Sequence, residues 1–202
     1  MFALIENQQI TKFYNGNKGV IIEGNQYPKS IFTLWSEAQR NAIGIFEVTV
    51  DTTNKKDEQW YINTNVSYGV ESNKAVGSYG IATAKAHADT LFTAQDETDG
   101  KGTEGEVATR GLKYNLIQTV KAQAAGILQD TDWYITRKAD AGTAVPSAIT
   151  THRAAVRTKA AEQETAITNA SDTPALQTLY TYTEQEDGSV TRPLGELPTL
   201  ES

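Results

Sequence analysis

The residues that could perform acid–base or metal chemistry are few and widely separated. The chain of 202 residues has two histidines, His87 and His152, and no cysteine. His87 and Asp89 stand two positions apart, and on the helix that the alanine-rich pattern predicts there they would point about 200° apart. His152 adjoins Arg153 on a predicted charged helix face. We therefore expect both histidines to be exposed helix residues rather than metal ligands or catalytic bases.

Sequence motifs of the common enzyme classes are missing from the chain. It lacks the Gly-x-Ser-x-Gly nucleophile elbow, the Gly-x-x-x-x-Gly-Lys phosphate loop, a Gly-x-Gly-x-x-Gly motif after a predicted strand and the His-Glu-x-x-His zinc motif. Without cysteine, disulfides and thiolate-bound zinc or iron–sulfur centres are excluded. A triad on another scaffold stays open, because triads are spatial rather than sequential. We expect a non-enzymatic protein with no catalytic residue, no cofactor and no metal.

An acidic, glycine-rich stretch, residues 96–106, separates two halves of different pattern. It holds three glycines and five carboxylates. Because a stretch of this composition has too little apolar surface to form a core, we predict a linker. A calcium loop beginning at Gln95 is the alternative, although Gln95 cannot supply the carboxylate usual at the first position. The later ligand positions of that loop, the third, fifth, sixth and twelfth, would be Glu97, Asp99, Gly100 and Glu106.

Aromatic side chains are the other candidates for a binding role. Six of them fall in the first half among asparagines and threonines: Tyr14, Tyr27, Trp60, Tyr61, Tyr68 and Tyr79. Flat amphipathic rings on such a surface bind sugars or proteins with little loss of entropy. Trp60, Tyr61, Tyr68 and Tyr79 are therefore the candidate surface contacts, with Trp60 favoured as a core residue because it alternates with Ile62.

Charge and hydropathy exclude two classes of partner. The net charge is -7, and neither half carries the basic stripe that phosphate neutralisation needs, so we expect no nucleic-acid binding. The apolar runs are short, and the one at residues 43–46 is interrupted by Gly44, so we predict no membrane insertion. The first residues lack the positive start and long apolar stretch of a secretory signal.

The elements that position these residues indicate an α+β protein. Residues 1–95 read mainly as short strands and turns, such as the alternating Ile45–Val50, and predict a small antiparallel β domain. A capping-box spacing at Ser36 and Gln39 predicts a short helix running to Gly44. The many threonines, 27 of them against five phenylalanines, predict thin cores and hence two modest units.

Residues 107–202 predict a helical hairpin with an extended C-terminal strip. Apolar residues recur at three- and four-residue steps from Leu112 to Ile127, and again after Pro146, which predicts an antiparallel pair of long helices. Thr131-Asp132-Trp133 predicts a new helix start at the bend, with Trp133 buried as an anchor. The proline-spaced segment 193–200 is a candidate docking strip or a tail packed on its own domain.

The layout resembles a known group of proteins. Met1–Asn7, Leu34-Trp35, Ile43–Phe46 and Trp60-Tyr61 resemble the front domain of small tail-associated proteins of tailed bacteriophages. The helical module resembles that of phage tail-fibre assembly chaperones and related tail proteins. Its matching residues are Leu112-Lys113, Ala122, Leu128–Trp133, Arg137, Pro146, Ile149, His152–Arg157 and Leu194–Leu200.

The resemblance implies a non-enzymatic protein that binds a tail-fibre or other tail or baseplate subunit. It would act as a tail-fibre assembly chaperone in the host cytoplasm, covering apolar or strand-edge surface on an incompletely assembled fibre. The alternative is a structural component of the virion tail, a fibre adaptor or receptor-binding tip. The expected partner-binding residues are Trp133, Arg153, Arg157, Leu194, Leu197 and Leu200.

Overall fold

The computed structural model describes residues 1–200 and has the mixed α+β architecture predicted from the sequence. The chain divides into two units, Met1–Thr83 (unit 1) and Ala84–Ser202 (unit 2). This division lies twelve residues before the end of the predicted first domain at residue 95. Residues 201 and 202 of the predicted third segment lie outside the described residues.

Unit 1 is built on a five-stranded sheet in the order β2-β1-β5-β8-β7. These strands are β1 (Phe2–Glu6), β2 (Gln9–Tyr14), β5 (Ile45–Asp51), β7 (Val66–Glu71) and β8 (Lys74–Tyr79). The prediction of a purely antiparallel sheet is wrong, because β5 pairs with β8 in parallel, with Val48 opposite Ala75. The β7–β8 hairpin joins the sheet through its second strand, and this places β8 rather than β7 beside β5.

Short elements surround this sheet. They are β3 (Val20–Ile22), β4 (Asn25–Tyr27), α1 (Ile31–Leu34), α2 (Glu37–Asn41) and β6 (Tyr61–Ile62), while β9 (Thr83–Ala84) straddles the division between the units. The capping box of α2 is present: Ser36 accepts a hydrogen bond from the Gln39 amide and Gln39 accepts one from the Ser36 amide. The helix ends at Asn41, earlier than predicted.

Two small apolar clusters belong to the core of unit 1. The larger one joins the sheet to the β3–β4 hairpin and α1 through Leu4, Val20, Ile22, Ile31, Phe32 and Ile45. Ala3, Phe46 and Ala75 form the smaller cluster, and Ala3 and Leu4 are successive residues of β1 that point to opposite faces. The sheet curls, so that its two edge strands, β2 and β7, approach each other. The ring centroids of Phe13 on β2 and Tyr68 on β7 lie 5.0 Å apart.

Unit 2 begins with a folded hairpin where the sequence predicted a helix and a linker. The hairpin consists of β10 (Thr90–Leu91), α3 (Ala94–Thr98) and β11 (Val107–Thr109), and β10 pairs with β11. Thr93 and Asp96 form a capping box on α3. Lys101 lies 3.1 Å from a carboxylate oxygen of Asp96 and of Asp99. Local hydrogen bonds and ion pairs therefore order a segment that has almost no apolar surface.

The long helices of unit 2 pack as the predicted antiparallel pair. They are α4 (Leu112–Gln129) and α6 (Ser147–Asn169), with α5 (Asp132–Ala141) between them in the chain. Lys113 near the start of α4 donates to the carbonyl of Thr168 near the end of α6. Beyond α6 come α7 (Thr173–Tyr180), β12 (Thr183–Glu184) and β13 (Val190–Thr191). Residues 193–200 follow, with a turn at residues 193–194 where the sequence predicted an extended strip.

The N-terminus of α4 is capped by a segment distant in the sequence. The amides of Leu112 and Lys113 donate to the carbonyls of Ala86 and His87, and Asp89 accepts from the Gly111 amide at 2.8 Å. These acceptors satisfy amides that have no partner inside the helix. The predicted helix over residues 82–95 is therefore wrong, and His87 is a half-buried loop residue rather than an exposed helix residue.

Candidate functional site

Arg153 lies inside unit 2, where it holds the bend between α4 and α5. Its side chain is 7% exposed. Nη1 donates to the Leu128 carbonyl at 2.7 Å and to the Thr131 hydroxyl at 2.6 Å, and Nη2 contacts Asp132 at 2.8 Å. Arg153 thus caps the C-terminal end of α4 and fixes the start of α5. The prediction that Arg153 binds a partner is wrong in this structure, because its hydrogen-bonding groups face its own chain.

Both His152 and Arg157 were expected to be exposed on their helix, but only Arg157 is. His152 is buried, because it lies on the inner face of α6 with Ile149, Arg153 and Val156. Arg157, by contrast, is exposed and available to a partner.

Trp133 lies on the surface of α5 rather than in the core. Half of its surface is exposed. The centroid of its ring lies 3.9 Å from that of Tyr134, and the guanidinium carbon of Arg137 lies 4.5 Å from the Trp133 ring centroid. The prediction of a buried anchor is wrong, because Arg153 and Thr131, rather than the indole, fix the bend. The exposed ring remains available for the predicted partner contact.

The C-terminal strip, residues 193–200, packs on its own unit at one end and is open at the other. Leu194 is buried and its amide donates to the Leu179 carbonyl. Leu194 is therefore a core residue, and the prediction that it binds a partner is wrong. Leu197 is half-buried and Leu200 is exposed, so only the later leucines present surface.

Gln163 ties the strip to α6. Its side chain is 2% exposed, and Nε2 donates to the carbonyl of Gly195 at 2.9 Å. Gly195 has φ +69°, and a Cβ there would stand 2.8 Å from Lys159 Nζ. The left-handed backbone conformation favours glycine at this position.

A groove of about 460 Å³ lies between α4 and this strip. Its wall on α4 is formed by Gln123, Gly126, Ile127 and Asp130, and the remaining lining residues are Gln163, Arg192, Glu196 and Leu197. We call it the α4 groove. Arg192 is committed to Glu196, since Nη2 and Nε each lie 2.8 Å from a carboxylate oxygen. Tyr182 donates its hydroxyl to the same carboxylate at 2.7 Å, which raises the pKa of the phenol.

Most of this groove was not predicted from the sequence. Only Leu197 was among the predicted partner-binding residues. Gln163 could have been found, because it stands on the apolar stripe that runs through Val156, Ala160 and Ile167. Gly126 could also have been found as a glycine inside an otherwise regular helix.

The predicted aromatic contacts of unit 1 divide into buried and exposed rings. Trp60 is 3% exposed and Tyr61 is 7% exposed, so the prediction that they are surface contacts is wrong and the core preference for Trp60 is correct. Tyr68 is partly exposed and lies against Gly77, where a Cβ would meet its ring at 2.7 Å. Tyr79 is half-buried beneath the Lys55 ammonium. The four rings do not form one exposed platform.

The calcium alternative does not assemble in the hairpin of residues 90–109. Asp96 and Asp99 share Lys101, and Gln95 donates to Asp99 at 2.8 Å. Hydrogen bonds from the Thr93 amide, the Thr93 hydroxyl and Lys101 lower the pKa of Asp96 to about 2. Among residues 1–200 no group of three or more His, Asp or Glu side chains is placed to hold a metal ion.

None of the helices within residues 1–200 is both long and apolar enough to cross a membrane. Comparisons of the chain with protein-family models, with curated proteins and with solved structures return no match.

Proposed function

We propose that this protein is a non-enzymatic phage tail protein that binds tail-fibre or other tail subunits and serves as a tail-fibre assembly chaperone. The resemblance of residues 128–157 to the helical module of such chaperones supports the phage assignment. The observation that carries a binding role is the α4 groove, which is open along a helix and lined by both apolar and hydrogen-bonding groups. Open grooves beside a helix accommodate segments of other proteins.

The geometry supports a holding mechanism. An incompletely assembled fibre subunit exposes apolar side chains and unpaired strand edges, and these aggregate at high concentration. The α4 groove would cover such a segment until the fibre assembles. Trp133, Arg157 and Leu200 are exposed on the same unit. Tryptophan and arginine are enriched in protein interfaces, and Leu200 adds apolar contact area.

Co-expression with the tail-fibre subunit from the same genome tests this proposal. We expect the fibre subunit alone to precipitate, and soluble trimers to form when this protein is present. A complex with the monomeric subunit should be isolated by size-exclusion chromatography with light scattering. If the fibre assembles equally well without this protein, the chaperone role is rejected. Purified virions that contain it at fibre-like copy number would instead assign it to the virion tail.

A further inference from the structure

Gly126 has no evident structural reason to be glycine. It lies inside α4, and a Cβ built on it would meet nothing within 4 Å. Glycine in a helix interior is destabilising relative to alanine. Neither a positive φ nor close packing requires it here, and its missing side chain leaves helix backbone open to the α4 groove.

Two polar groups in the same groove lack partners within the chain. The buried Gln163 donates through Nε2 to Gly195, but its Oε1 accepts no hydrogen bond from the described residues. Asp130 lines the groove at the C-terminal end of α4 and forms no ion pair within residues 1–200. Because Arg192 is paired with Glu196, Asp130 leaves the groove with a net negative charge.

We propose that the α4 groove receives an extended segment of a partner tail subunit that carries an apolar residue and a lysine or arginine. The segment passes Gly126, where the absent side chain permits close approach of its backbone. Its apolar side chain packs between Ile127 and Leu197, and its cation pairs with Asp130. A backbone amide of the segment is the donor that Gln163 Oε1 lacks. This inference rests on the proposed function and specifies the chemistry of the surface that the protein binds.

The occupant is an extended segment rather than a helix for a reason visible in the structure. The groove lies between α4 and a non-helical strip that is held through a backbone carbonyl, that of Gly195. Gln163 contacts this carbonyl with one end of its amide, so the other end can accept from a backbone amide of the occupant. The amides in the interior of a helix are already paired within the helix, whereas those of an extended segment are free. The charge of Asp130 selects a basic segment over an acidic one.

Binding of peptides to the full-length protein tests the proposal. The probes are overlapping 12-residue peptides that span the tail-fibre subunit from the same genome, measured by fluorescence polarisation. The blocking variant is Gly126→Leu, and the matched control is Ala125→Leu at an exposed neighbouring position outside the groove lining. Circular dichroism checks that both fold, which we expect because a Cβ at position 126 meets no atom.

We expect the strongest-binding peptide to contain an apolar residue and a lysine or arginine. Gly126→Leu should weaken its binding at least about tenfold, which corresponds to about 1.4 kcal/mol, and Ala125→Leu should leave it unchanged. Asp130→Lys should weaken binding by a similar factor, and added salt should weaken binding to the wild type more than binding to Asp130→Asn.

Four results would overturn the inference. If Gly126→Leu binds the peptide as the wild type does, the segment lies elsewhere and the proposed function stands. If the intact fibre subunit binds but no peptide does, the groove does not hold an extended segment. If Gly126→Leu abolishes self-association of the protein, the occupant is a second copy. Failure of the intact subunit to bind at all would reject the proposed function together with this inference.

Discussion

At the residue scale, the surroundings of Arg153 and Gly126 differ from those that their residue types suggest. An arginine on a helix beside other charges looks like a surface residue, yet Arg153 is buried and makes three polar contacts at the α4–α5 bend. Gly126 looks like a packing residue, yet nothing packs against it. Side chains of this chain must therefore be assigned by their contacts rather than by their types.

Replacing Arg153 should destabilise unit 2. We expect Arg153→Met to lower the free energy of unfolding by about 2–4 kcal/mol, because it removes hydrogen bonds from a charged, buried donor to Leu128, Thr131 and Asp132. Urea denaturation followed by circular dichroism measures the change. The control is Arg157→Met, one turn further along α6 and exposed, which should shift stability by less than about 0.5 kcal/mol. Equal effects of the two substitutions would contradict the role assigned to Arg153.

Filling the Gly126 position should stabilise the helix. We expect Gly126→Ala to raise the free energy of unfolding by about 0.5–1 kcal/mol, since alanine loses less backbone entropy and the new methyl group meets no atom. Ala125→Gly, at an exposed position of the same helix, should lower it by a similar amount. Thermal denaturation of both variants measures these changes. A loss of stability in Gly126→Ala would show that glycine is needed by the fold itself.

At the element scale, turns and caps decide structure where apolar surface is scarce. The sequence indicated the capping box at Ser36 because both of its partners lie within four residues. It did not indicate the capping of α4 by residues 86–89, because those acceptors lie more than twenty positions from the helix start. The alanine-rich pattern of residues 82–95 favoured a helix, and the tertiary hydrogen bonds overrode that preference.

The hairpin of residues 90–109 should respond to acid through Asp96. Its pKa of about 2 is below the ordinary value near 3.9, so ionised Asp96 stabilises the hairpin above about pH 4. That contribution is lost as the pH falls from about 4 to about 2. We expect the Thr93 amide proton, which is donated to this carboxylate, to shift in NMR spectra with a midpoint near pH 2. The transition should vanish in Asp96→Asn, and a midpoint near 4 would contradict the capping role.

Residues that favour a type I′ turn should stabilise the turn between β7 and β8. Ser72 and Asn73 have φ of 48° and 60°, as a type I′ hairpin turn requires, and Asn-Gly is the favoured pair there. The double substitution Ser72→Asn with Asn73→Gly should raise the free energy of unfolding by about 1 kcal/mol. Gly24→Ala in the β3–β4 turn, where φ is +81°, should lower it. Chemical denaturation measures both changes, and an unchanged stability in both variants would contradict this account of the turns.

At the scale of the whole molecule, the sequence predicted the α+β class and the antiparallel pair of α4 and α6. These follow from periodic patterns within single elements. The parallel pairing of β5 with β8 and the position of the division between units depend on contacts far apart in the sequence. The α4 groove was missed for the same reason, because Gly126, Gln163 and Leu197 come from separate segments.

The division between the units gives a prediction about fragments. A fragment of residues 84–202 keeps the carbonyls of Ala86 and His87 and the carboxylate of Asp89, which cap α4, and the Lys85 carbonyl that Thr173 contacts at 2.6 Å. A fragment of residues 96–202, cut at the boundary predicted from the sequence, loses all four acceptors.

We therefore expect the longer fragment to be more stable by about 4 kcal/mol, at about 1 kcal/mol for each of the four hydrogen bonds lost. Urea denaturation of the two fragments, followed through their helical circular dichroism, measures this difference. Because residues 84–95 contribute only Ala94 and Gln95 to a helix, the helical signals of the two fragments per molecule should be nearly equal before unfolding. If the shorter fragment is equally stable, the capping contacts contribute nothing to the helical unit. The first domain would then end at residue 95, as the sequence pattern indicated.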